Sequence, residues 1–348
     1  MSVTILRGDC REVLRELPAE SVHCVVTSPP YWGLRDYGVA GQIGLEASYL
    51  DYIAALADVF AAVWRVLELS GTLWLNLGDC YATGAGKVGE CPGGSAQGER
   101  WRGGHEDKHR YAKAMGPNTQ PNRMPQTGLK PKDLVGIPWR VAFALQEAGW
   151  WLRKDIIWHK PNPMPENVSD RPTSCHEHIF LFAKAERYFY DFEAVKEQAI
   201  SDHPSGNGFK RDARLTFQNS FGEGRGNSMQ WQVTEHRNMR DVWTVPVRPF
   251  NDAHFATFPP ELIEPCIKAG CPKEGTVLDP FGGAGTTGMV ADRLGRNAIL
   301  IELNPDYADM AERRIRNDAP LFAEVGATRS GRADRRCHRS LRHEAERD

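Results

Sequence analysis

Apolar positions along this chain follow two alternating patterns, and the alternation points to an architecture. Short dense runs, Val3 to Leu6, Val22 to Val26, Thr72 to Leu77, Ile179 to Ala183, Thr276 to Asp279 and Asn297 to Leu303, read as buried strands. Trp151 to His159 reads as another strand, and Tyr188-Phe189-Tyr190 as a hairpin extension of the Ile179 run. Between them lie stretches with helical spacing. Cys10 to Leu17 has Asp9 as its N-cap, and Ser48 caps a long helix to about Leu69 with Leu50, Ile53, Leu56, Phe60 and Val63 on its apolar face. Asp133 to Ala148, Pro259 to Ala269, Thr286 to Leu294 and Pro305 to Asn317 complete the helices. Strands alternating with helices predict an α/β fold around a mostly parallel sheet.

The pattern lapses in three places. Thr83 to Lys130 turns to glycine, proline, asparagine and basic residues, which predicts an insertion. Ser201 to Arg240 interleaves Lys210, Arg211, Arg214, Arg225, Arg237 and Arg240 with Phe209, Phe217, Phe221 and Trp231. That mixture suits contacts to a nucleic-acid backbone, and a solvated loop with a few buried aromatic anchors fits the composition equally well. After Pro320 the chain becomes Arg-rich and aperiodic. The expected organisation is one domain over 1–320, with insertions at 83–130 and 201–240 and a disordered tail at 321–348.

Composition narrows the function classes. With 348 residues, 41% hydrophobic and 25% charged, the chain can bury a large core, and a net charge of -2 leaves any nucleic-acid surface a local patch. No run approaches the roughly 20 apolar residues of a membrane span, and Met1 to Thr4 lacks the start of a signal peptide. A cytoplasmic protein without membrane contact is therefore expected. The 8 cysteines form no Cys-x-x-Cys pair, so reduced thiols are the default. Cys175-His176-Glu177-His178 has the composition of a metal cluster, but side chains alternate across a strand and cannot all converge, so no metal is expected.

Two stretches carry chemistry. Thr27-Ser28-Pro29-Pro30-Tyr31-Trp32 follows a buried strand, where an open α/β sheet places its ligand. The prolines fix a stiff shelf: a planar base stacked on Tyr31 can donate its amine protons to the Ser28 hydroxyl and the Pro29 carbonyl. Taken in isolation, Pro29-Pro30-Tyr31 reads more readily as a simple turn after a strand. Near the other end, Asp279-Pro280-Phe281-Gly282-Gly283-Ala284-Gly285-Thr286-Thr287 is a strand end, a glycine turn and a helix start, with Thr286 or Thr287 as cap. Glu302 ends the next strand, where a carboxylate can accept both ribose hydroxyls. Gly283 to Gly288 also matches the dinucleotide fingerprint, which keeps a nicotinamide enzyme as an alternative. Against it, Asp279 would repel a pyrophosphate and better suits a cofactor bearing an ammonium group, and too little chain follows Glu302 for a second mononucleotide half.

Taken together, in this order, the two motifs closely resemble those of the DNA amino-methyltransferases in their permuted β-type arrangement, from Val3 to Asn317. The resemblance implies a Rossmann-like fold with a seven-stranded, mostly parallel sheet and an antiparallel hairpin, and S-adenosyl-L-methionine as cofactor. It implies Ser28, Pro29, Pro30 and Tyr31 as the catalytic motif. Asp9, Phe258, Asp279, Pro280, Phe281, Gly283, Gly285, Thr286, Thr287 and Glu302 correspond to cofactor-binding positions. Trp158-His159-Lys160-Pro161 resembles the family's Trp-x-Lys segment, and Trp32, Lys160, Lys210, Arg211 and Arg214 are the expected DNA contacts. Serine at the first catalytic position resembles the cytosine-N4 branch, whereas Asp-Pro-Pro-Tyr is typical of the adenine-N6 branch. The implied partners are double-stranded DNA and a cognate restriction endonuclease, with the enzyme a monomer or homodimer. A catalytically silent DNA-binding module is the rival outside the enzymes.

Overall fold

Cys24 and Val26 leave one face of β2 (Val22–Thr27), Val25 leaves the other, and all three are at most 2% exposed. A strand buried on both faces needs helices on both, which explains its poor alternation in sequence. The computed structural model describes residues 1–82, 126–198, 236–248, 258–318 and 324–329. In it α1 (Cys10–Glu16), α2 (Tyr49–Val66) and α3 (Ile137–Glu147) cover one face. The other face carries α4 (Pro260–Gly270), α5 (Thr286–Arg293) and α6 (Pro305–Asp318).

The remaining strands of the main sheet are β1 (Ser2–Arg7), β3 (Leu67–Leu77), β4 (Trp151–His159), β5 (His176–Ala183), β8 (Val242–Thr244), β9 (Thr276–Asp279), β10 (Asn297–Glu302) and β11 (Glu324–Arg329). A separate ribbon pairs β6 (Glu197–Gln198) with β7 (His236–Arg237). The nine-stranded order is β11-β1-β10-β9-β2-β3-β5-β4-β8. β5 is antiparallel to both β3 and β4, and the other neighbouring pairs are parallel. The start of β5 therefore shares an edge of the sheet with the ends of the parallel strands.

Several expectations shift. The seven expected strands gain β8 and β11 as flanks. β11 lies in the stretch read as a disordered tail, with Ser2 to Arg7 in register with Glu324 to Arg329. It covers the backbone donors and acceptors that β1 would otherwise leave open as an edge, and such pairing needs no side-chain periodicity to signal it. Tyr188-Phe189-Tyr190 forms no hairpin. Instead the Phe189 N–H donates to the Ser70 carbonyl, and Tyr190 stacks on Trp74. On α2, Leu50 is 54% exposed, while Tyr49, Tyr52, Leu56, Val59, Phe60, Val63 and Val66 are buried. Tyr52 can be buried because its hydroxyl donates to the Pro30 carbonyl at 2.9 Å. Within the stretch expected to be an insertion, 83–130, the buried Gln126 amide donates to the Ala47 carbonyl and accepts from the Tyr49 N–H.

α3 starts at Ile137 rather than Asp133, because Lys132 to Val135 bonds instead to Cys80 and Ala82. Its first turn is capped from outside: the Asp79 carboxylate, just past β3, accepts from the Gly136 and Ile137 N–H groups at 3.0 Å. Asp79→Ala should lower the unfolding free energy by roughly 0.5–2 kcal/mol, the usual worth of a helix cap. Urea unfolding measures this, and an unchanged midpoint would show the cap to be idle.

Candidate active site

The ends of β1, β2, β3, β4, β9 and β10 and the start of β5 surround a cavity of about 230 Å³. Its wall includes Asp9, Ser28, Pro29, Pro30, Tyr31, Asn76, Trp158, Lys160, Glu177, Phe258, Pro280, Phe281, Gly283, Thr286 and Glu302. Residues far apart in sequence meet because a parallel sheet gathers its strand ends on one edge.

The glycine turn is built on two carboxylates. Asp279 is 1% exposed, and its Oδ1 accepts from the Thr27 hydroxyl at 2.6 Å and the Phe281 N–H at 3.0 Å. Its Oδ2 accepts from the Thr287 hydroxyl at 2.6 Å. Burial pushes the Asp279 carboxyl up to about 6, against the downward pull of these three donors. Glu302 accepts from the Gly283 N–H on Oε2 and the Asn304 N–H on Oε1, both at 2.7 Å. Burial raises its carboxyl too, and each oxygen keeps acceptor capacity toward the cavity.

The glycines divide the work. A Cβ on Gly285, at φ 78°, would lie 2.8 Å from the Ala311 Cβ, so this glycine lets α5 and α6 approach each other. On Gly283, at φ 50°, a Cβ would meet nothing nearer than the Phe281 carbonyl at 3.8 Å, and the open side is the cavity. Neither threonine caps α5. Gly285 is the N-cap, Thr287 is turned inward to Asp279, and the Thr286 hydroxyl accepts from Arg314. Gly285 and Thr287 thus support the wall from behind.

Asp9 caps α1 through the Arg11 N–H at 2.9 Å and pairs with the Arg11 guanidinium, which reaches the Gly41 carbonyl. Burial acts to raise the Asp9 carboxyl, but the Arg11 hydrogen bonds and charge outweigh it and hold it low.

On the shelf, Tyr52 pins the Pro30 carbonyl, and a Cβ on Gly78 would fall 2.5 Å from Tyr31 Cε2, so the tyrosine ring lies against glycine backbone. The Tyr31 hydroxyl donates to Glu177 Oε2 at 2.7 Å and lies 3.2 Å from Asn76 Oδ1. Burial, then the Glu177 charge, keeps that phenol from ionising in the usual range.

The DNA contacts change most. Trp32 is 1% exposed, with its Nε1–H donated to the Glu46 carbonyl at 2.9 Å and its ring edge-on to Tyr49. It anchors the loop in the core and presents nothing to DNA. Lys160 points into the cavity, paired with Glu177 and 4.3 Å above the Trp158 ring. Arg237 and Arg240, in the stretch read as suited to nucleic-acid contacts, both pair with Glu197. Lys210, Arg211 and Arg214 lie outside the described residues.

Cys175 to His178 divides between faces as alternation requires. Glu177 faces the cavity, while His178 bonds Asp155 at 2.9 Å and stacks on Phe180. Asn76 and Glu177 had no assigned role in the sequence reading. The signal for Glu177 was its position at the start of a strand that runs against its neighbours.

A model of the N6/N4 methylases, described as DNA methylase, matches residues 22–313. The chain belongs to this family of DNA amino-methyltransferases. The methylase is 45% identical over 326 residues to the Type II methyltransferase M.Cfr9I of Citrobacter freundii, covering 93% of this chain and 91% of the relative. It is 44% identical over 314 residues to M.SmaI of Serratia marcescens, covering 90% and 91%. Among solved structures, TTHA0409 of Thermus thermophilus, complexed with S-adenosyl-L-methionine, superposes with TM-score 0.54 at 25% identity, covering 92% of this chain and 98% of that one. The cytosine-N4-specific PvuII DNA methyltransferase shares the fold at TM-score 0.57 and 18% identity, covering 94% and 95%.

The methylase's buried carboxylate gives a pH prediction. Asp279 sits near 6 when folded against 3.8 when exposed, so its contribution to stability is full below about pH 4 and is lost as pH rises through about 6. Relative to Asp279→Asn, the wild-type unfolding free energy should fall by about 2–3 kcal/mol between pH 4 and pH 7, at 1.36 kcal/mol per pKa unit. Denaturant titrations of both proteins across that window measure it, and a pH-independent difference would contradict the assignment.

Proposed function

We propose that the methylase transfers the methyl group of S-adenosyl-L-methionine to the exocyclic N4 amine of a cytosine flipped out of duplex DNA. The observation that carries the cytosine reading is Ser28, a neutral hydroxyl at the head of the proline shelf on the cavity wall. Adenine N6 would be the natural target for aspartate at that position, by resemblance to the other branch.

The residues present suit the cofactor. Glu302 offers ribose acceptors, Gly283 leaves the turn open on the cavity side, and Phe258, Pro280 and Phe281 give apolar wall. The Glu302 carboxylate favours a ligand with positive charge, whereas the charge of Asp9 is already met by Arg11. Bound there, the cofactor supplies an electrophilic methyl group. Asp279 acts through the turn it braces, since its oxygens are already engaged by Thr27, Thr287 and Phe281.

On the base side, Ser28 Oγ and the Pro29 carbonyl accept hydrogen bonds from the two amine N–H groups, which localises the nitrogen lone pair and aims it out of the ring plane, and the nitrogen releases one of these protons to solvent once it carries the methyl group. Tyr31 offers the stacking face. Positioning supplies most of the acceleration, since such an amine needs orientation more than activation. Duplex DNA is held through the 201–240 region, with Lys210, Arg211 and Arg214 on phosphates. The Type II names of the relatives support a cognate restriction endonuclease.

Methylated duplex digested to nucleosides should give 4-methylcytosine by mass spectrometry. Recovery of 6-methyladenine would overturn the cytosine assignment, and 5-methylcytosine would overturn attack by an amine. Ser28→Ala should slow methyl transfer by roughly one to three orders of magnitude with DNA affinity unchanged, as for loss of one preorganised hydrogen-bonding group.

A further inference from the structure

Glu177 has no part in that transfer, yet side chains from three other segments converge on it. The Tyr31 hydroxyl and Asn76 Nδ2 reach its Oε2 at 2.7 and 3.2 Å, and Lys160 pairs with its Oε1. The Glu177 and Lys160 side chains are 16% and 18% exposed, so this is a sheltered pair on the cavity wall. Lys160 is further confined over the Trp158 ring. A sheltered ion pair gives little net stability compared with well-packed apolar residues, because desolvation offsets the attraction. What it does supply is a single geometry. The Tyr31 ring already rests against the Gly78 backbone, so fixing its hydroxyl fixes the whole side chain.

We propose that Glu177, held by Lys160, is a positioning residue that locks Tyr31 beside the amine acceptors Ser28 and Pro29. The inference rests on the amino-methyltransferase reading of the cavity. It places a role in methyl transfer at the start of β5, a strand that contributes nothing to the cofactor turn. The contacts make Glu177 act through another residue, since its Oε2 accepts from the Tyr31 hydroxyl.

Single-turnover methyl transfer by Glu177→Gln tests this. The rate should fall on the order of 10- to 100-fold, the cost of a small misplacement in a site that works by orientation, with DNA and cofactor affinities unchanged. In a Tyr31→Phe background, which keeps the ring and removes the hydroxyl, the same substitution should cost nothing further. In protein labelled with 13Cζ-tyrosine, the resonance that disappears in Tyr31→Phe should move in Glu177→Gln. Should Glu177→Gln fail to fold because Lys160 is left unpaired, the double variant Lys160→Met/Glu177→Gln carries no such charge and should show the same rate loss. A full-rate Glu177→Gln, an equal loss in the Tyr31→Phe background, or an unmoved resonance each overturns the proposal. A wild-type protein that methylates no DNA would instead overturn the proposed function, and the tyrosine resonance would then decide the Glu177 contact by itself.

Discussion

One buried carboxylate makes two distant pieces of chain into one site. Asp279 ends β9, Thr27 ends the neighbouring β2, and Thr287 lies in the first turn of α5; a hydroxyl from each of the last two closes on the first at 2.6 Å. Each bond to a charged acceptor is worth about 1.5–3 kcal/mol net. The cost is the desolvation that lifts the Asp279 carboxyl to about 6. Loss of any donor leaves part of a buried charge unsatisfied, so the shelf after Thr27 and the turn after Asp279 are held in a fixed relation. The cavity between them inherits its shape from that relation.

The direction of β5 is the second constraint. Had it run parallel, its end at Ala183 rather than its start at Glu177 would lie at the cavity edge. Reversal at this one strand brings a carboxylate opposite the shelf, while β4 brings Trp158 and Lys160 to its side. The side of the cavity that carries the glycine turn is thus made from the ends of parallel strands. The opposite side is made from side chains of β4 and β5, with Lys160 just after β4, and the proline shelf.

Much of this was legible in the chain. The buried strands, the Asp9 cap, the glycine turn and the carboxylate of Glu302 all have local signatures, and the structure brings them to one edge. What failed to show locally was set by long-range partners. Trp32 adjoins the proline shelf, and nothing in sequence reveals that its indole finds the Glu46 carbonyl and so can be buried. Thr287 looks like a cap until Asp279 claims its hydroxyl, and α3 takes its cap from Asp79, 57 residues before Gly136. β11 pairs through backbone in a stretch without apolar period.

The coupling of the proline shelf to the glycine turn through Asp279 is tested most directly by Thr27→Val. This change keeps the shape of a side chain that lies outside the cavity wall and removes one donor to Asp279. Calorimetric titration with S-adenosylhomocysteine should show affinity falling about fivefold or more, since leaving a buried acceptor unsatisfied costs about 1–3 kcal/mol and part of that is transmitted to the turn. Affinity equal to wild type in folded Thr27→Val would contradict the account.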